Sequence, residues 1–430
     1  MSEKRSIQSL GATIAASALI LGAPIAAHSA SDGPELKHTT VLSDLENPWD
    51  MAFLSDGAML FTEKCKGLSI RLPNGNVNHL LGMNGTEGYA STADDLVCAG
   101  QAGMNGVAVD PDFAENRTIY VYSASTISDL RTNRVLRLKL NEELTDVSGR
   151  TDIVKDIPYK QEATDHPFGD SGAHNGGRIR FNPDDGYLYV TTGDNHNSQL
   201  PQSGGSLGGK VLRIDADGKG APDNADATPE GFDPRIYTYG HRNVQGITFH
   251  PETGQPYVTE HGPWHSDEVN ALVAGGNSGW DPRPNMAGRG DCPDNYCGYM
   301  PNQNEGMDPD ERRKFMPITD TATYPDAMKP VWGNNGLSQG ISSGVFLTGE
   351  QWGDWNGQLA VSFLGIGFGG TPVGQRINLL DLSEDGASVR NVVEMPVPTG
   401  AMRYRSLVQA PNGDLYAAVD EGQIYRIQPQ

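Results

Sequence analysis

Apolar residues recur at every second position over short runs of this chain, and the runs come in pairs. Each pair has one form. An alternating stretch leads into a turn rich in Pro, Ser, Asp and Gly, and a short stretch rich in Tyr, Val and Thr follows. The form occurs in residues 51–63, 107–123, 178–193, 247–260, 344–362 and 406–419. In the fourth copy Ile247 and Phe249 alternate with polar neighbours. A turn is expected at Pro251–Gly254 and a second strand at Tyr257–Thr259. Most copies precede a further strand carrying Arg or Asn, such as RVLRLKL or KVLRID. Radial repetition of small antiparallel sheets marks a β-propeller, in which each blade completes its core against its neighbours. The expected fold is therefore all-β: a six-bladed β-propeller of four-stranded antiparallel blades. A strand in residues 39–45 would join the last blade and close the ring. The competing architecture is a β-sandwich with coincidental hairpins.

Composition agrees with many short strands and turns: of 430 residues, 53 are Gly and 28 are Pro. Residues 1–30 read as a signal peptide. Lys4 and Arg5 precede an apolar, Ala-rich run from Leu10 to Ala27, and Ala27-His28-Ser29-Ala30 offers small residues for cleavage. Residues 31–430 then form a single propeller domain with insertions near 215–235 and 281–329. No other stretch is long and apolar enough to cross a bilayer, so the expected protein lies in the periplasm or is secreted, without membrane contact. The formal net charge of −22 argues against nucleic acid as a partner. Four cysteines suit an oxidising compartment. Cys292 and Cys297 lie in a Gly/Pro/Asn/Asp-rich loop and are expected to form a local disulfide, which leaves Cys65 to pair with Cys98.

A propeller brings loops from every blade to one end of a central channel, so chemistry is sought where polar residues crowd strand ends. His174 lies between glycines in GAHNGGR, where an imidazole can take a proton near neutral pH. Arg242 and Asn243 in GHRN can steady a developing oxyanion and orient a carbonyl. Gly262 and Pro263, with Asp267 and Glu268 nearby, suit a hard cation such as Ca²⁺. Arg403 and Arg405 are two apart in MRYRS and would point the same way in an extended segment, as a clamp for carboxylates or phosphates. Each has a plainer alternative: a hydrogen-bonded loop His, an Arg bracing two blades, an ordinary acidic loop, a solvated strand end.

Together these phrases resemble the glucose/sorbosone dehydrogenase family of soluble quinoprotein sugar dehydrogenases. The matching text is GQAGMNGVAVDPDF, HNGGRIRFNPD, YGHRNVQGITFHP, EHGPWHSDEVNAL, GGNSGW and RYRSLVQAPNGDLY, in the family's order from about residue 45 to 428. The resemblance implies pyrroloquinoline quinone (PQQ) across the channel mouth with Ca²⁺ beneath it, and PQQ-dependent oxidation of aldoses at C1 to lactones. The partners would be a sugar substrate and an external electron acceptor. The protein would be a monomer or homodimer. His174 matches the general base, Arg242 the residue beside the accepting carbonyl, and Asn243, Arg403 and Arg405 the PQQ contacts. Gly262 and Pro263 match the main-chain Ca²⁺ ligands, and Gln101 a substrate contact. Two departures stand out. Ala173 replaces an acidic residue before the catalytic His, and the region FLGIGFGGTPVGQR lacks a PQQ-contacting Lys. A calcium-dependent lactonase and a non-catalytic glycan- or protein-binding propeller are the competing functions.

Overall fold

The computed structural model describes residues 33–161, 170–263, 265–282, 310, 313–314, 316–366 and 374–430. The chain enters through β1 (Leu36–Leu42), which belongs to the last blade. Blade one follows with β2 (Pro48–Phe53), β3 (Met59–Glu63), β4 (Gly67–Arg71) and β5 (Val77–Met83), extended by the short β6 (Ser91–Ala93), which pairs parallel to β5. Blade two holds β7 (Met104–Val109), β8 (Thr118–Ser125), β9 (Thr132–Leu140) and β10 (Val147–Ile157). Blade three holds β11 (Gly176–Phe181), β12 (Leu188–Thr192), β13 (Val211–Ile214) and β14 (Ile236–Thr238). Blade four holds β15 (Val244–Phe249), β16 (Pro256–Glu260), β17 (Glu268–Ala271) and the two-residue β18 (Trp332–Gly333). Blade five holds β19 (Ile341–Phe346), β20 (Leu359–Phe363), β21 (Ile377–Leu382) and β22 (Val389–Glu394). Blade six holds β23 (Tyr404–Gln409), β24 (Leu415–Val419) and β25 (Gln423–Pro429), with β1 on its outer edge. This is the expected six-bladed β-propeller. The antiparallel pairing of β1 with β25 closes the ring by joining the first and last described strands.

The period-two pattern explains why the blades stack. In β8, Ile119 and Val121 join an apolar cluster shared with blade one, while Tyr120 and Tyr122 join one shared with blade three. Six such clusters each straddle one pair of adjacent blades. A strand with two buried faces must be apolar at both parities, as the fully buried β3, β8, β12, β16 and β20 are. The turn between β15 and β16 closes with His250 N–H to Gln255 O at 2.9 Å and Gly254 N–H to His250 O at 2.9 Å. Gly254 sits at φ +66°, where an added Cβ would lie 2.4 Å from Asp184, so glycine is required there.

The first strands of the blades line the central axis, and one buried cation ties four of them together. Arg178 on β11 reaches Asp50 and the Trp49 carbonyl on β2, the Gln245 carbonyl on β15, and Ser406 Oγ and the Arg405 carbonyl on β23. Its guanidinium also stacks 4.2 Å from the Trp49 ring centroid. Asp50 answers Arg178 and Arg180 together. Burial alone would raise its pKa, but the two guanidiniums outweigh it and hold the carboxyl at about 2. Cys65 and Cys98 form the expected disulfide, with Cα atoms 5.2 Å apart. Cys292 and Cys297 lie outside the described residues, as do the proposed signal peptide and most of the 281–329 insertion.

Candidate active site

One cavity of about 250 Å³ takes residues from every blade. Blade one gives Asn47, Trp49 and Lys64, and the loop before β7 gives Gly100 and Gln101. Blade three gives His174, Asn175 and Gly176, and blade four Asn243, Gln245 and His261. Blade five gives Gly340, Leu364 and Gly365, and blade six Arg403, Arg405 and Asp420. These positions share a logic. Each lies at or just before the start of a blade's first strand, or just after the end of its second. The open end of each repeated hairpin therefore faces the cavity, and spacing fixed by the repeat brings distant residues together.

His174 stands in the left-handed region at φ +50°, just before β11. Its backbone N–H donates to Gln101 Oε1 at 3.0 Å. Its Nδ1 lies 2.8 Å from Asp194 Oδ1, and Trp280 Nε1 donates to Asp194 Oδ2 at 2.8 Å. A carboxylate at Nδ1 fixes the tautomer, so the lone pair sits on Nε2. That nitrogen lies 2.8 Å from Nε2 of His196. Burial, and then the charges of Arg242, His261 and Lys160, hold the His174 pKa well below the usual imidazole value. The group is thus a neutral base at pH 7. The flanking glycines serve the backbone first. Gly176 is at φ +64°, and its Cβ would meet Thr192 Cα at 2.6 Å; Gly177 is at φ +105°.

Asn243 lines the cavity, and its Oδ1 accepts from Gly176 N–H at 3.2 Å and Gln245 Nε2 at 3.0 Å. Arg242 is buried behind His261 and is not among the described lining residues. Its Nη1 donates to the His261 carbonyl at 2.6 Å and lies 3.2 Å from His261 Nδ1, while its backbone N–H donates to Glu260. Arg403 and Arg405 share Asp420: Arg403 Nε at 3.1 Å, Arg405 Nε at 2.9 Å and Arg405 Nη2 at 2.8 Å. Burial opposes ionisation of Asp420, but Arg405 and Arg403 outweigh it and lower its pKa. Gly262 and Pro263 are buried beside the cavity without lining it. Gly262 N–H donates to Asp267 Oδ1 at 3.0 Å, and Asp267 also accepts from Ser338 Oγ at 2.6 Å and Gln339 N–H at 2.7 Å.

Sequence reasoning found His174, Gln101, Asn243 and both arginines, but assigned no role to Lys64, Asp194, His196, His261 or Asp420. Asp194 was open to inference. In blade three Gly176 pairs with Thr192, so residues two beyond each end of that hairpin meet. Blade four places a different His–carboxylate pair at the same end of its hairpin: Val244 pairs with Glu260, and His241 Nδ1 lies 2.8 Å from Glu260 Oε2.

The chain is similar to known proteins over nearly its whole length. The profile of the Glucose / Sorbosone dehydrogenase family matches residues 45–426. The aldose sugar dehydrogenase YliI of Escherichia coli (strain K12) is 25% identical over 401 residues, covering 92% of this chain and 94% of that protein. Quinoprotein glucose dehydrogenase B of Acinetobacter calcoaceticus is 30% identical over 295 residues, covering 62% of this chain and 56% of that protein. The PQQ-bound aldose sugar dehydrogenase of Streptomyces coelicolor superposes with a TM-score of 0.64 at 22% identity, covering 92% of this chain and 98% of that one. With six blades converging on one cavity and a family match over nearly all of them, the chain belongs to the glucose/sorbosone dehydrogenase family.

Proposed function

We propose that this sugar dehydrogenase uses PQQ and Ca²⁺ to oxidise aldoses at C1 to lactones, passing electrons to an external acceptor after export to the periplasm. The observation that carries the reading is a neutral His174, braced by Asp194, in the same cavity as the Arg403–Arg405 pair. The lining fits a planar polyanion. Lys64, Arg403 and Arg405 against Asp420 leave three positive charges minus one, a net of +2, in a chain of net charge −22. Trp49 adds an aromatic wall. When bound, PQQ supplies the carbonyl carbon that accepts hydride from the sugar. Gly262 and Pro263 would hold Ca²⁺ through main-chain oxygens, and the metal would polarise the accepting carbonyl.

The protein's own part is proton handling and orientation. His174 takes the anomeric hydroxyl proton at Nε2 as the C1 hydride departs, and Asp194 at Nδ1 stabilises the imidazolium. His196 must yield Nε2 to the hydroxyl first, because an sp² nitrogen has one lone pair. Gln101, fixed to the His174 backbone through Oε1, keeps its amide N–H₂ for the sugar. The test is reconstitution with PQQ and Ca²⁺, then a broad aldose panel with a redox dye. Saturating cofactor with no turnover and no quinone absorbance on the protein would end this reading.

A further inference from the structure

Lys64 was singled out by no motif, yet its backbone and its ammonium are both tied to the loops that line the cavity. It follows β3 directly. Its backbone N–H donates to Asn47 O at 3.1 Å, and its carbonyl accepts from Met104 N–H at 2.9 Å. Its Nζ donates to the Gly100 carbonyl at 2.7 Å. The next residue is Cys65, whose disulfide partner Cys98 lies two residues before Gly100. The disulfide therefore staples the turn that carries Lys64 to the loop that carries Gly100 and Gln101, and Gln101 in turn holds the His174 backbone. The segments approach so closely that a Cβ on Gly103 would lie 2.2 Å from Lys64 O, so glycine is required there.

The charge pattern calls for a ligand. Lys64 shares the cavity with Arg403 and Arg405 across the contact between blades one and six. The carboxylate there, Asp420, is engaged by the two arginines, and Lys64 forms no ion pair among the described residues. Burial, and then the positive charge of Arg405, lower its pKa. Three cations facing one cavity with one carboxylate between them repel each other until an anion enters.

We infer that Lys64 is a binding residue for the quinone, its ammonium pairing with a ligand carboxylate that the two arginines leave uncovered. This rests on the reading of the cavity as a PQQ site, and it locates an ammonium on blade one, in a chain whose FLGIGFGGTPVGQR segment has no Lys. The test is direct titration of the Ca²⁺-loaded apoprotein with PQQ, followed by quinone absorbance, for wild type, Lys64→Met and Lys64→Arg at two salt concentrations. Loss of one charge-assisted hydrogen bond should weaken PQQ binding by about ten- to a hundredfold in Lys64→Met and reduce its salt dependence. Lys64→Arg should bind within about threefold of wild type, which shows that the charge and not the fold was lost. Wild-type binding with an equally tight Lys64→Met overturns the assignment of Lys64 alone. No PQQ binding by wild type overturns the quinone-site reading and this assignment with it.

Discussion

The Nε2 atoms of His174 and His196 lie 2.8 Å apart, with ring centroids separated by 3.7 Å. Because Asp194 holds the Nδ1 side of His174, the proton between the two rings belongs to His196, and the resting base is capped. In the proposed mechanism a sugar hydroxyl replaces that donor. Removing the cap in His196→Ala should therefore tighten substrate binding. One neutral hydrogen bond is worth about 1 kcal/mol, so KM should fall about fivefold while kcat stays within about twofold. Steady-state kinetics on the best sugar decide it. A large loss of kcat at unchanged KM would instead make His196 a carrier of the proton.

The pH profile should carry the mark of burial. His174 and His196 both have pKa values well below 6.5, burial being the largest cause in each. The proposed mechanism needs the base form of His174, so kcat should stay flat from pH 8 down to about 6.5 and fall only in more acid solution. A fall centred at pH 6.5 or above would show an ordinary, solvated imidazole. Stability follows the same sign. The unfolded chain takes up protons on these histidines as pH drops through 6.5, whereas the folded chain does not. Their contribution is complete above that pH and erodes below it, which urea midpoints measured between pH 7.5 and 5.5 will show.

Loss of the base itself should be costly. Hydride cannot leave the anomeric carbon cheaply unless the hydroxyl proton departs with it. General-base catalysis contributes about 10²–10⁴-fold, so His174→Ala should lower kcat by about that factor. PQQ affinity should change little, since Lys64 and the two arginines, and not His174, carry the positive charge of the cavity. Arg403→Ala should do the reverse, raising the PQQ dissociation constant. A His174→Ala enzyme with full kcat would return the residue to the role of a loop histidine.

The fold was legible because a propeller repeats one local instruction. All six phrases read from the sequence, such as 178–193 and 406–419, fall on the first two strands of a blade, and the strand near 39–45 closes the ring as β1. The site was half legible for the same reason. His174, Asn243, Arg403 and Arg405 sit at the repeated strand starts, where polar clusters stand out. Lys64, His261 and Asp420 sit at the ends of second strands, where a charged residue looks like any solvated turn. Their roles come from blade-to-blade juxtaposition, as when Lys64 meets the arginines of blade six, and no local pattern encodes that. His196 is harder still, because its position depends on a turn in which Asn195 and His196 both adopt positive φ.

Asp50, Arg178 and Arg180 form a charged plug on the central axis of the propeller. Asp50 is fully buried, with Arg178 Nη1 at 2.5 Å and Arg180 Nη2 at 2.7 Å, and it accepts from Val107 N–H at 3.1 Å and Ser406 Oγ at 3.0 Å. Its pKa of about 2 against 3.8 means that its ionisation stabilises the fold above pH 3.8, by about 2 kcal/mol, and that this is lost as pH falls through 2. Asp50→Asn should cost more than protonating Asp50, because it permanently leaves the buried Arg178 guanidinium without its carboxylate. Breaking one side of a buried ion pair costs about 3–5 kcal/mol. Urea unfolding should show that loss, with the midpoint falling and the slope unchanged. Function should suffer in step, since Arg178 then loses the anchor from which it holds the Gln245 and Arg405 carbonyls under the cavity. Arg180→Lys is the discriminating control. Arg180 is only partly buried, and its loss leaves the Asp50–Arg178 pair in place, so the cost should be about 1 kcal/mol with PQQ affinity preserved. An Asp50→Asn protein as stable as wild type would mean that the plug is held by packing on Trp49 and not by charge.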